Sequence, residues 1–313
     1  MPKIEVEEIG FKDYGKCLKI TNGIVEAVVT LDIGPRVIRF AFKGGENFFH
    51  EDLKQESFVS GEPLEAVFGK GSKWLLYGGH RLWLGPEDMP MSYYPDNEPV
   101  QYKRTKNGFE FIPPAQRIND VQYKIELIMP ENKPGITVNH FATNTGGRTI
   151  KRSPWAITAM KRSGLEVIPQ PLNNTGLLPN RNISLWPVSD MSDERIYWGK
   201  KYITLKQETD IKSSFKFGIN NTRGWAAYFV NNGMFVKQYY HNPNGCYPDK
   251  DVSYETFTNN YSIEMETLGE FVDITPGSTV FHSEEWTLVD NVERPEPNDE
   301  ITLDTLVKLY IEK

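Results

Sequence analysis

Trp225-Ala-Ala-Tyr-Phe-Val230 and Met234-Phe-Val-Lys-Gln-Tyr-Tyr240 flank Asn231-Asn232-Gly233. Two runs rich in aromatic and β-branched residues, joined by an Asn-Gly turn that takes positive φ angles at little cost, predict a tight antiparallel hairpin. The same rhythm extends in both directions. Gly108-Phe-Glu-Phe-Ile112, Val121-Gln-Tyr-Lys-Ile-Glu-Leu-Ile128 and Gly135-Ile-Thr-Val-Asn-His-Phe-Ala142 alternate apolar and polar residues, with Asn107-Gly108 and Lys133-Pro-Gly135 as turns. Cys17 to Phe42 reads as three strands punctuated by Asn22-Gly23 and Gly34-Pro35.

Helical periodicity is confined to the C-terminus, where Leu303, Leu306, Val307 and Tyr310 follow the spacing i, i+3, i+4, i+7 behind an acidic start at Asn298-Asp-Glu300. Many short strands, 25 Gly and 21 Pro argue for an all-β fold, a large antiparallel β-sandwich with a short C-terminal helix. A propeller would show a repeat of roughly 40 to 50 residues, and none occurs. Residues 1–290 are expected to form the sandwich domain. Residues 291–313, rich in Pro and acid at their start, are expected to be a linker and a helix packed on that domain.

The chain has 313 residues, enough to bury a sizeable core. Its 42 acidic against 35 basic residues leave no electrostatic footprint for nucleic acid. No segment approaches transmembrane length, and the charged N-terminus lacks the apolar run of a signal peptide, so no membrane partner and a cytoplasmic location are expected. Two cysteines, Cys17 and Cys246, form no disulfide framework or zinc motif, and the five histidines show no ligand spacing, so no metal is expected. No nucleotide-binding glycine loop and no serine-hydrolase elbow occurs, so no cofactor is expected.

Four stretches concentrate polar and aromatic groups that could form a site. Tyr77-Gly-Gly-His-Arg-Leu-Trp-Leu-Gly-Pro-Glu-Asp88 gathers His80, Arg81, Trp83 and Glu87 among glycines, where the histidine and arginine either form a site or pair with nearby carboxylates. Between Gly176 and Gly199, Trp186 offers a flat face for a sugar ring or fills the core, and Asn180, Arg181 and Arg195 could bind hydroxyls. The loop Tyr239 to Asp249 contributes Tyr247 and Asp249, and either closes over a ligand or covers a sheet edge. In Tyr261-Ser-Ile-Glu-Met-Glu-Thr-Leu-Gly269, strand alternation puts Glu264 and Glu266 on one face and Ile263 and Met265 on the other. A carboxylate displayed in this way can take a proton from a sugar hydroxyl or accept its hydrogen bond.

Taken in order, several motifs resemble the galactose mutarotase-like superfamily, whose members share a large antiparallel β-sandwich that binds carbohydrate. They are Asn22-Gly-Ile-Val-Glu26, Asp32-Ile-Gly-Pro-Arg-Val-Ile-Arg-Phe40, Gly78-Gly-His-Arg-Leu-Trp83, Ser153-Pro-Trp-Ala-Ile-Thr158, Leu178-Pro-Asn-Arg181, Tyr247-Pro-Asp249, Glu264-Met-Glu-Thr-Leu-Gly269 and His282-Ser-Glu-Glu-Trp286. The resemblance implies a small-molecule carbohydrate ligand and aldose 1-epimerase chemistry, in which a glutamate is the general base and a histidine the general acid. Met265-Glu266-Thr267 is similar to the glutamate's setting, so the base role falls on Glu266, with Glu264 in its hydrogen-bond network. The strand that would carry the histidine, Ser153 to Thr158, has none. His80 is the acid candidate, and Asn139-His-Phe-Ala-Thr-Asn144 offers His140 one strand earlier. Arg81 and Arg181 would then orient a ring lying over Trp155 or Trp186. A sugar-binding or sensing protein without chemistry is the alternative on the same scaffold, and a polysaccharide lyase or hydrolase is a third reading.

Overall fold

The computed structural model describes residues 4–312. Two antiparallel sheets, of 11 and 10 strands, pack face to face. The first runs from Glu5–Gly10 at one edge through Val37–Phe42, Gly79–Gly85, Ile150–Met160, Ile263–Leu268, Tyr254–Thr258 and Phe215–Ile219 to Ile183–Leu185 at the other. The second has Leu165–Pro169, the hairpin Trp225–Val230 and Gly233–Tyr239, then Thr279–Asp290, Gly135–Asn144 and Val121–Ile128 side by side.

The hairpin forms as expected, with one change in its turn. Asn231 and Asn232, not Gly233, take the left-handed conformation, with φ of 58° and 53°. Gly233 is the first strand residue, and a Cβ there would approach the Val289 carbonyl oxygen to 2.8 Å.

Apolar side chains from both sheets meet between them. Phe217, Ile263 and Met265 of the first sheet join Phe235, Trp286 and Leu288 of the second in one buried cluster. The C-terminal helix, Glu300–Tyr310, starts at Asp299, whose carboxylate accepts from the Thr302 amide at 3.1 Å. It lays Leu303 and Val307 on the outer face of the second sheet, against Leu165, Val167 and Trp225. A second helix, Glu62–Phe68, escapes periodicity because it buries only Leu64. It belongs to an excursion that covers the outer face of the first sheet, where Leu64 and Trp74 pack on Trp83, Trp155 and Leu268.

The space between the sheets is not wholly apolar. His80, His140, His282, Lys237 and Glu284 are all buried there. The scattered histidines of the sequence therefore converge, and the bonds assign the ring protons of His80 and His140. The His140 Nδ1 lies 3.1 Å from the His282 carbonyl oxygen, so it must donate, leaving Nε2 as an acceptor. His80 Nε2 donates to that atom at 2.7 Å, which makes His80 Nδ1 the acceptor for the Thr158 hydroxyl at 2.8 Å. Thr158 Oγ1 in turn accepts from Lys237 Nζ at 2.6 Å. The other two ammonium protons go to the Met265 carbonyl at 3.1 Å and to Glu284 Oε1 at 3.0 Å, and Trp286 Nε1 donates to Glu284 Oε2 at 2.8 Å. The imidazoles are neutral, since burial holds His80 well below the ordinary histidine value, His140 down to about 4 and His282 down to about 3.

Two outcomes follow for stability. Lys237→Met is expected to cost roughly 3–5 kcal/mol in urea unfolding by stranding the Glu284 carboxylate, and adding Glu284→Gln should recover part of the loss. For pH, each histidine has a native pKa below its unfolded value, so stability is complete above about 6.5 and is lost as pH falls toward 4 and then 3. Glu166, pushed up to about 8 by burial between the sheets, acts oppositely: its contribution is complete below about 4.5 and is lost as pH rises through about 8. Urea midpoints across pH 4 to 9 should therefore peak near neutrality.

Candidate functional site

On the outer face of the first sheet, the covering excursion leaves a cleft of about 490 Å³. Its floor follows from register. Ile157 stands opposite both Arg81 and Glu266, and Glu266 stands opposite Glu255. One step along, Glu264 stands opposite Phe257, which stands opposite Lys216. Directly opposed residues share a face, so Arg81, Glu266, Glu255, Glu264 and Lys216 all point away from the core. Trp83 and Trp155 form the next row, opposite one another.

Lys216 organises the floor. Its ammonium lies 3.0 Å from Glu255 and 3.2 Å from Glu266, with the rings of Trp155 and Trp186 at 4.6 and 4.8 Å. Glu266 Oε2 accepts from Trp155 Nε1 at 2.9 Å as well as from Lys216, while Oε1 has no hydrogen-bond partner among the described residues. Arg81 donates to Glu264 Oε1 at 2.8 Å, and its guanidinium lies over Trp83 at 4.6 Å. Burial pushes Glu266 above the ordinary carboxylate range, with Lys216 opposing and Glu264 adding to the rise. Burial raises Glu255 further. Two carboxyls share one ammonium in a poorly hydrated floor, and that pair retains a proton more readily than an exposed glutamate would. Burial works against the Lys216 charge, but Glu266 and Glu255 outweigh it and raise its pKa.

The rim is aromatic. Tyr93, Trp186, Phe257 and Tyr261 line the cleft and are half-buried, and Phe58 beside them is exposed. Glu87 stands at the rim, where its carboxylate accepts from the Tyr93 hydroxyl.

Of the residues expected from sequence, the cleft unites Glu266, Glu264, Arg81, Trp83, Glu87, Trp155 and Trp186. The others lie elsewhere. His80 adjoins Arg81 in a strand, so alternation sends it through the sheet to the inner network, where it is wholly buried. His140 lies in the same network, across from it. Neither histidine shares a face with Glu266. Asn180 and Arg181 hold their own loop, Asn180 to the Asn173 carbonyl at 3.0 Å and Arg181 to Gln170. Arg195 is buried in a fork with Asp193, at 2.9 and 2.6 Å, and with the Ser213 carbonyl. Tyr247 stacks on His241 at 4.9 Å, and its hydroxyl accepts from the Asn242 amide. Asp249, at φ 52°, lines a neighbouring depression shared with Trp186, and its carboxyl faces the charges of Glu255, Lys216 and Glu87.

Lys216 and Glu255 escaped the sequence reading. A signal for the first exists in Phe215-Lys-Phe-Gly-Ile219, where a lysine between two core phenylalanines must occupy the face opposite to theirs.

No protein-family model matches the chain, and no curated protein matches its sequence. Solved structures do resemble it in fold. A galactose mutarotase-like protein from Lactobacillus casei superposes with a TM-score of 0.53 at 8% identity, over 87% of this chain and 99% of that one. A galactose mutarotase-like protein from Clostridium acetobutylicum gives 0.51 at 11% identity, over 92% and 99%. A TPR-domain containing protein from Parabacteroides distasonis gives 0.59 at 13% identity over 90% of this chain, which spans about half, 48%, of that protein's length. No helix among the described residues is long and apolar enough to cross a membrane. The chain has the galactose mutarotase-like β-sandwich fold.

Proposed function

We propose that the cleft binds a free sugar and that Glu266 acts there as general base in exchanging its anomers. The observation that carries this reading is the environment of Glu266: one oxygen is fixed by Trp155 and Lys216, the other has no partner among the described residues, and the carboxylate sits on the floor of an aromatic-rimmed cleft. Aromatic faces pack against the C–H surface of a pyranose, and fixed carboxylates and N–H groups satisfy its hydroxyls.

Anomer exchange needs a proton removed from the anomeric hydroxyl and one delivered to the ring oxygen as the bond from that oxygen to the anomeric carbon breaks. Glu266 Oε1 takes the first. Lys216 replaces His80 in this reading: two of its N–H groups are held by Glu255 and Glu266, and the third is free to meet the ring oxygen. The ammonium gives its proton to that oxygen, which leaves Lys216 neutral and Glu266 protonated. Rotation about the bond from the carbonyl carbon to its neighbour turns the other carbonyl face to the hydroxyl; Glu266 then returns its proton to the carbonyl oxygen and Lys216 takes the hydroxyl proton as the ring closes, so the protons balance and both groups are restored. No cofactor enters.

A non-catalytic sugar-binding protein is the second reading. It is favoured by the tight hold of two carboxylates on Lys216, which makes the ammonium a reluctant acid.

Anomer exchange measured by polarimetry and NMR over a panel of aldoses separates the two. Under the first reading Glu266→Gln lowers the rate by roughly 10² to 10⁴-fold, and a rate unchanged by that substitution removes the base assignment. Binding by calorimetry with no acceleration leaves the second reading. The base must be ionised, and burial raises it, so the wild-type rate should rise with pH through a limb lying above the ordinary glutamate range.

A further inference from the structure

The charges around the cleft bear on the class of sugar it takes, an inference that rests on the sugar-binding reading above. A cation that recognises a phosphate or carboxylate must be free to pair with it. Here both cations that line the cleft already have carboxylates: Arg81 has Glu264 at 2.8 Å, and Lys216 has Glu255 and Glu266 at 3.0 and 3.2 Å. Beyond the lining, Arg162 has Glu56 at 3.4 Å, and Lys73 lies over the outer Phe58 ring at 4.0 Å. Glu87 differs from these carboxylates. Among the described residues no cation pairs with it, and its hydrogen-bond partner is the neutral Tyr93 hydroxyl. Its charge acts on Lys216 and Asp249 below, so its field reaches across the cleft.

An anionic substituent would have to break a buried ion pair or lie beside carboxylates without compensation, and both are unfavourable. A hydroxyl meets no such barrier, because it donates to a carboxylate and accepts from an N–H group. An ammonium gains from the unpaired Glu87 and from the surrounding ring faces. We propose that the cleft selects against phosphorylated and uronic sugars and favours a free amino sugar over its neutral parent, with Glu87 as the residue that sets the preference.

The test is calorimetric or NMR titration of the whole protein with four ligands, in both the gluco and galacto series: the neutral hexose, the 2-amino-2-deoxyhexose, the hexose 6-phosphate and the hexuronate. At low ionic strength the amino sugar is expected to bind about two- to fivefold tighter than the hexose, as befits an ion pair at a partly exposed site, and the two anionic sugars more weakly than the hexose. Glu87→Gln, an exposed position, should abolish the advantage of the amino sugar, and raising the salt concentration should shrink it. An anionic sugar binding as tightly as the hexose, or an amino sugar with no advantage, overturns this inference while leaving the sugar-binding reading intact. Failure of every sugar to bind removes that reading and this one with it.

Discussion

The strict alternation of side chains along the central strands of the first sheet is the constraint on which the rest of the structure depends. In Ile263–Leu268 and its neighbours, one set of side chains enters the space between the sheets and the other looks out beneath the covering excursion. Both sets include titratable groups. The inner set contains His80 and meets Lys237, Glu284 and His140 from the second sheet. The outer set contains Arg81, Glu264, Glu266, Glu255 and Lys216. A single sheet thus separates two polar layers that neighbouring residues, such as His80 and Arg81, serve from opposite sides.

The two layers differ in how fully they are satisfied. Inside, the histidines, Thr158 and Lys237 form a chain in which every donor along it meets an acceptor, and this closure makes a buried charge tolerable. Outside, among the described residues, Glu266 has one oxygen without a partner, Lys216 has two carboxylates for its three N–H groups, and Glu87 has no cation. Unfinished bonding on a concave, aromatic-rimmed surface is what a ligand can complete. The fully bonded network belongs to stability, and the open one is the candidate site.

Much of this was legible in the chain. The Asn-Gly turn between two apolar runs, the alternating stretches from Gly108 to Ala142 and the heptad-like Leu303, Val307 and Tyr310 each encode a local preference, so hairpin, strands and terminal helix could be read directly. The shared face of Glu264 and Glu266 follows from their spacing of two, because the strand fixes the direction of each side chain. The short helix Glu62–Phe68 carries too few apolar positions to show a period.

Which residues meet across strands depends on sheet order and register, and neither is local. The sequence could display Arg81, Trp83, Trp155 and Glu266 as polar or aromatic residues, but only the pairing of Ile157 with both Arg81 and Glu266 makes them one site. The same pairing sends His80 inward and leaves Arg181, Arg195 and Tyr247 to hold loops. Lys216 is 50 residues from Glu266 in the chain; two cross-strand steps bring it level with Glu264, and its side chain reaches diagonally to Glu266. By itself the sequence determined the all-β character, the turns and the facing of single side chains, because these depend on backbone preference and period. The tertiary structure alone decided the company each charge keeps, because that is set by which strands pair and in what register.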